Sequence, residues 1–197
     1  KEKLQKVWDY ELEIMIFLAL PLVAGGMMLA SHVISSFYTS DFAPATLAFQ
    51  ILIIAVGVIF LYRPFNDVLI VFDQQKKTFW ITMAGAGVNI FLNLILIPAY
   101  SLYGAAAATV ATHALVLCGM MLLVKNFTAI KLPFWRVCLT LCVSGFAISA
   151  MYLVLKQLLT YDLNIFLLVF AGAGVYVLTF FILRQYIAVK YFKQTYA

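Results

Sequence analysis

Arg63, Asn66 and Asp67 bring a guanidinium, an amide and a carboxylate into the longest apolar block of this 197-residue chain. Arg63 and Asp67 are four apart, so on a helix they share a face and can pair. A charge at membrane depth costs a few kcal/mol, so it faces protein or water and usually has a task. A guanidinium offers a rigid bidentate fork to anions, which makes Arg63 a candidate contact for a group such as a pyrophosphate. Two further polar stripes follow. Gly85, Asn89 and Asn93 are each four apart, and so are Ala105, Thr109 and His113. Both stripes fall on single helix faces, which suggests a shared wet or hydrogen-bonded surface. Interhelical bonding explains Asn89 and Asn93 equally well, at roughly 0.6 kcal/mol per bond. His113 could titrate and couple protons. The candidate substrate-binding residues are therefore Arg63, Asn66, Asp67, Asn89, Asn93, Thr109 and His113.

Other chemistries lack their residues. There is no Ser/His/Asp set, no paired carboxylates within one apolar block, no His/Cys cluster at ligand spacing and no phosphate-cradling loop, so no enzyme activity, cofactor or metal is expected. Ion or proton gradient coupling is the one accessory chemistry left open. Cys118, Cys138 and Cys142 all sit inside apolar blocks and read as packing residues. Glu11 and Glu13 read as solvated.

The polar groups must be held by elements suited to lipid. The composition is 65% hydrophobic and 11% charged, with a mean hydropathy of +1.04, which excludes a soluble globule. Six stretches approach or exceed the ~20 apolar residues needed to cross a bilayer: Ile14–Ser35, Phe42–Phe72, Thr78–Ile97, Gly104–Val124, Val137–Leu155 and Leu163–Leu183. Eleven of the thirteen Lys and Arg lie before the first block, after every second block, or in the tail. Only Lys156 lies in the alternate gaps, and Arg63 is inside a block. The positive-inside rule then puts both termini of the segment in the cytoplasm. The net charge of +5 sits at block ends, where anionic lipid attracts it, and does not imply nucleic acid.

The predicted organisation is all-α. Residues 1–13 form an amphipathic linker along the inner membrane surface, 14–183 a lobe of six transmembrane helices, and 184–197 a cytoplasmic tail. Loops of about 6–13 residues imply antiparallel neighbours. Gly25, Gly26, Ala30, Gly85, Gly104, Ala108, Ser144, Gly145, Gly172 and Gly174 supply the small residues on which lipid-embedded helices pack. Pro21 should kink the first span. The second block is too long for one perpendicular crossing. If hydrocarbon starts near Ala45, Arg63 lies about 27 Å down at the inner interface; if Val68–Phe72 is still in lipid, Arg63 and Asp67 are inside the bilayer.

The run from Asn89 resembles a signature of oligosaccharide-lipid flippases: Asn89, Asn93 four on, an apolar stretch to Ile97-Pro98, a short loop, then Gly104-Ala105-Ala106 and Thr109. Ser36–Ala45 looks like the outer loop of those proteins, and Asp73–Thr78 like the inner turn before the signature helix. The loop departs from the family pattern at Ser101, where glycine often follows the tyrosine, and Thr39 likewise replaces a glycine. The resemblance covers about residues 21–124. It is to the polysaccharide transporters of the multidrug/oligosaccharidyl-lipid/polysaccharide exporter superfamily, whose members have two lobes; this chain matches most of a carboxyl-terminal lobe. It implies flipping of a polyprenyl-pyrophosphate-linked oligosaccharide, such as an O-antigen unit, across a prokaryotic inner membrane by alternating access. The implied partners are the lipid-linked oligosaccharide, membrane lipids and an amino-terminal lobe of the same protein. Rival expectations are a cation-coupled drug or metabolite antiporter of the same superfamily, and a non-transporting membrane scaffold whose Arg63, Asn89 and His113 are all satisfied by neighbouring helices.

Overall fold

A backbone in hydrocarbon has no water to bond, so each spanning segment must satisfy its own N–H and C=O groups as a helix. The computed structural model describes residues 2–161 and 163–195, with side chains up to 187. Lys1, Asp162 and the side chains of Lys190 and Lys193 lie outside the described residues. Among these residues the chain forms α1 (Glu2–Phe37), a single 3-10 turn (Ser40–Phe42), α2 (Ala45–Val71), α3 (Gln75–Phe127), α4 (Phe134–Leu158) and α5 (Ile165–Thr195), with no strand. All five α-helices are long and apolar enough to cross a membrane, which fits a multi-pass membrane protein.

Five helices stand where six were expected. The predicted third and fourth spans are joined in the 53-residue α3, whose one non-helical residue is Ser101, at φ 52° and ψ −128°. The expected loop 98–103 is otherwise helical backbone. Ser101 alone reverses the chain, so no separate loop element divides the two apolar runs. The arms lie against each other in antiparallel register. Asn89 bonds to Thr112, a Cβ on Gly85 would sit 2.7 Å from Val116, and one on Gly119 3.1 Å from Ile81. At the tip, a Cβ on Gly104 would collide with the backbone carbonyl of Leu96. Glycine here is what allows the second arm to start against the end of the first.

The chain divides into two compact units, Lys1–Val137 and Cys138–Ala197. In the first, the core gathers near the lysine-bearing ends of the helices: Trp8, Leu12 and Ile16 of α1, Phe65, Val68 and Leu69 of α2, and Val116, Met120 and Val124 of α3. Trp8 is 1% exposed. It stands edge-on to Phe65 at 5.6 Å, and its indole N–H donates to the carbonyl of Pro64 at 3.2 Å. Residues 2–13 are therefore the opening turns of α1 rather than a separate surface linker. Nothing between Glu13 and Ile14 breaks the helix, and the 36-residue α1 is about 54 Å long. The expected solvation of Glu13 is also corrected: its side chain is 6% exposed and pairs with Arg136 at 3.6 Å. Pro21 lies inside α1 without ending it. Small residues bring α1 and α2 together, with Gly26 against Ile53 and Gly57 against Val23.

In the second unit, Ser144 is fully buried and its hydroxyl accepts from Tyr176 at 3.0 Å. Gly172 packs on Leu155, whereas a Cβ on Gly145 or Gly174 would meet open space. The stretch expected as a tail continues α5 to Thr195.

Candidate substrate-handling site

Arg63, Asn66 and Asp67 come together on α2, flanking the buried Pro64–Phe65 step. The Arg63 Nε donates to Asp67 Oδ2 at 3.0 Å, and the Arg63 side chain is 64% exposed. Asn66 Nδ2 approaches the other carboxylate oxygen of Asp67 at 3.4 Å. Phe65, Val68 and Leu69 take the α1-facing side of this helix, which turns Arg63 outward. The two terminal nitrogens of its guanidinium have no ion-pair or hydrogen-bond partner among the described residues.

Sequence reasoning missed the fourth member of this group. Glu11, three residues ahead of the apolar run Ile14–Ser35, has Asp67 as a charged and hydrogen-bonding neighbour. Two carboxyl groups can bond each other only by sharing a proton. Partial burial raises the Glu11 carboxyl to about 7, the hydrogen bond and charge of Asp67 add to this, and Arg63 opposes it. The one available signal was the placement of Glu11 beside the first span, facing a block with its own Arg/Asp pair.

The second group lies within α3. Asn89 Nδ2 donates to Thr112 Oγ1 at 3.2 Å, and Asn93 Nδ2 to Asn89 Oδ1 at 2.9 Å. Thr112 donates in turn to the carbonyl of Ala108. The partner of the Asn89 stripe is thus Thr112, not the Thr109 and His113 face expected from spacing. The Thr109 hydroxyl turns back to the carbonyl of Ala105. The His113 ring turns toward α2 and stacks on Tyr62, with ring centroids 6.0 Å apart and planes at 17°. Asn93 Oδ1 and His113 Nδ1 are buried without a hydrogen-bond partner. No hydrogen bond or ion pair joins the α2 group to the α3 group among the described residues.

Near the Ser101 end, Tyr103 donates to the carbonyl of Pro44 at 3.0 Å, tying the hairpin tip to the start of α2. A cavity of about 440 Å³ opens at the same end of α1, lined by Ser31, His32, Ser35, Tyr38, Thr39 and Thr46. None of these residues is among the seven sequence-derived candidates. Among the described residues no group of three His, Cys, Asp or Glu could hold a metal ion, and all three cysteines are free thiols.

No family model matches the chain, and no curated protein matches it.

Proposed function

We propose that this chain is a helical lobe of a transporter that flips a polyprenyl-pyrophosphate-linked oligosaccharide across a prokaryotic inner membrane, its lysine-bearing helix ends on the cytoplasmic side. The two arms of α3 each cross the bilayer, so the lobe crosses six times. The reading rests on one observation above the others. Arg63 is gripped from one side by Asp67 at 3.0 Å while most of its side chain stays exposed. A guanidinium oriented by one of its nitrogens keeps a terminal fork for a phosphate-type anion. The polar head of the cargo cannot enter hydrocarbon unaided, so a second lobe closes the other side of a polar path and the prenyl tail stays in lipid. The scaffold reading needs every membrane polar group satisfied, and the unpartnered Asn93 Oδ1 and His113 Nδ1 count against it.

The cation-coupled antiporter of the same superfamily is the second reading, favoured by the Glu11 carboxyl, raised to about 7 by partial burial and by its neighbour Asp67. One genetic experiment separates the two. Deleting the full-length gene strands lipid-linked sugars on the cytoplasmic leaflet; the wild-type gene restores surface polysaccharide and Arg63→Ala does not. Unchanged surface polysaccharide after the deletion, with new sensitivity to cationic drugs, supports the antiporter instead.

A further inference from the structure

A second cavity, of about 570 Å³, lies at the lysine-bearing end of the first unit, and none of the sequence-derived candidates lines it. Its wall is apolar, from Phe65, Met121, Leu122 and Leu132, and Lys125 and Lys131 stand at its edge. Met121, Leu122 and Leu132 are exposed, so the apolar wall opens sideways, where the reading above puts acyl chains. The backbone of Lys131 is fixed in place. Gln5 holds the Lys131 peptide at both ends, donating to its carbonyl at 2.7 Å and accepting from its N–H at 2.9 Å. Asp9 fixes the same Gln5 amide at 2.7 Å. Neither Lys125 nor Lys131 is in an ion pair among the described residues. Phe134 and Trp135, a few residues beyond Lys131, are exposed aromatic side chains. Rings of this kind settle at the headgroup level of a bilayer, which puts the two ammonium groups at phosphate depth.

We propose that this cavity binds an anionic phospholipid of the adjoining leaflet, its acyl chain along Met121, Leu122 and Leu132 and its phosphate between Lys125 and Lys131. Basic pockets between spanning helices at the cytoplasmic face suit such headgroups, and each lysine contributes about fivefold in affinity. The site rests on the membrane reading but not on the cargo, so it stands or falls separately from flippase activity.

Tryptophan quenching tests it. The chain contains three tryptophans; replacing Trp80 and Trp135 with Phe leaves Trp8, which lies in the cavity wall. The full chain is placed in mixed bilayers with either brominated phosphatidylglycerol or brominated phosphatidylcholine. Phosphatidylglycerol should occupy the site at least about fivefold in preference. Lys125→Gln with Lys131→Gln should abolish the preference, the double Arg variant should keep it, and Lys3→Gln with Lys76→Gln should leave it unchanged. Equal quenching by the two lipids, or a preference that survives loss of both Lys125 and Lys131, overturns the site.

Discussion

Asn89 on the first arm of α3 donates its amide to the hydroxyl of Thr112 on the second, at 3.2 Å, twenty-three residues along the chain. This bond crosses between the arms in the same register as the Gly85–Val116 contact, one helical turn away. Asn89→Ala removes this bond and the one it accepts from Asn93, and should destabilise the protein by about 0.6 kcal/mol for each, read as a lower unfolding temperature in detergent. Thr112→Ser, which keeps the hydroxyl, should cost less.

Ser101 carries the positive φ that turns α3, a conformation natural to glycine and strained for other residues. Ser101→Gly should raise stability by about 1 kcal/mol. Gly104→Ala should lower it by about 1–3 kcal/mol, because the new methyl meets the Leu96 carbonyl. Thermal unfolding of the two variants should therefore move in opposite directions.

Trp8 tests whether the first turns of α1 belong to the lobe. Trp8→Ala should cost about 3–5 kcal/mol, since it empties a buried site between α1 and α2 and removes the bond to the Pro64 carbonyl. Trp8→Phe should lose only the hydrogen bond, about 1 kcal/mol. Denaturation monitored by circular dichroism reads both.

Glu11 gives a pH dependence of defined sign. Its carboxyl is raised from 4.5 to about 7 in the folded chain, so the folded state binds the proton more tightly than the unfolded one. Stability contributed by Glu11 is therefore highest below 4.5, falls as pH rises from 4.5 to about 7, and is flat above. Glu11→Gln should flatten that slope, and Asp67→Asn should reduce it by removing the neighbouring charge. Unfolding temperatures between pH 4 and pH 8 measure the effect.

The apolar runs were legible from composition, because a helix in lipid must be long and almost free of charge. So was the Arg63–Asp67 pair, since spacing within one helix depends only on the chain's own period. What escaped the sequence depends on neighbours brought from elsewhere. Trp8 and Glu13 sit in a charged stretch that looks solvated until Phe65 and Arg136 cover it. Gly57 looked like any glycine until Val23 came against it. Two runs divided by Pro98 and a short polar segment looked like separate helices, because nothing in residue type distinguishes a loop from a reversal made by one residue. Asn89 and Thr112 were each visible as polar, but the helix phase that pairs them is set by the turn at Ser101.

The whole account depends on α3 traversing lipid twice, with Ser101 at one face and its lysines at the other. Single cysteines at Lys76, Ser101 and Lys131, in a background with Cys118, Cys138 and Cys142 changed to Ser, test this directly with a membrane-impermeant maleimide. The cysteine at position 101 should react in intact cells, and those at 76 and 131 only after permeabilisation. Labelling of all three from one side, or of 76 and 131 from outside, would contradict it.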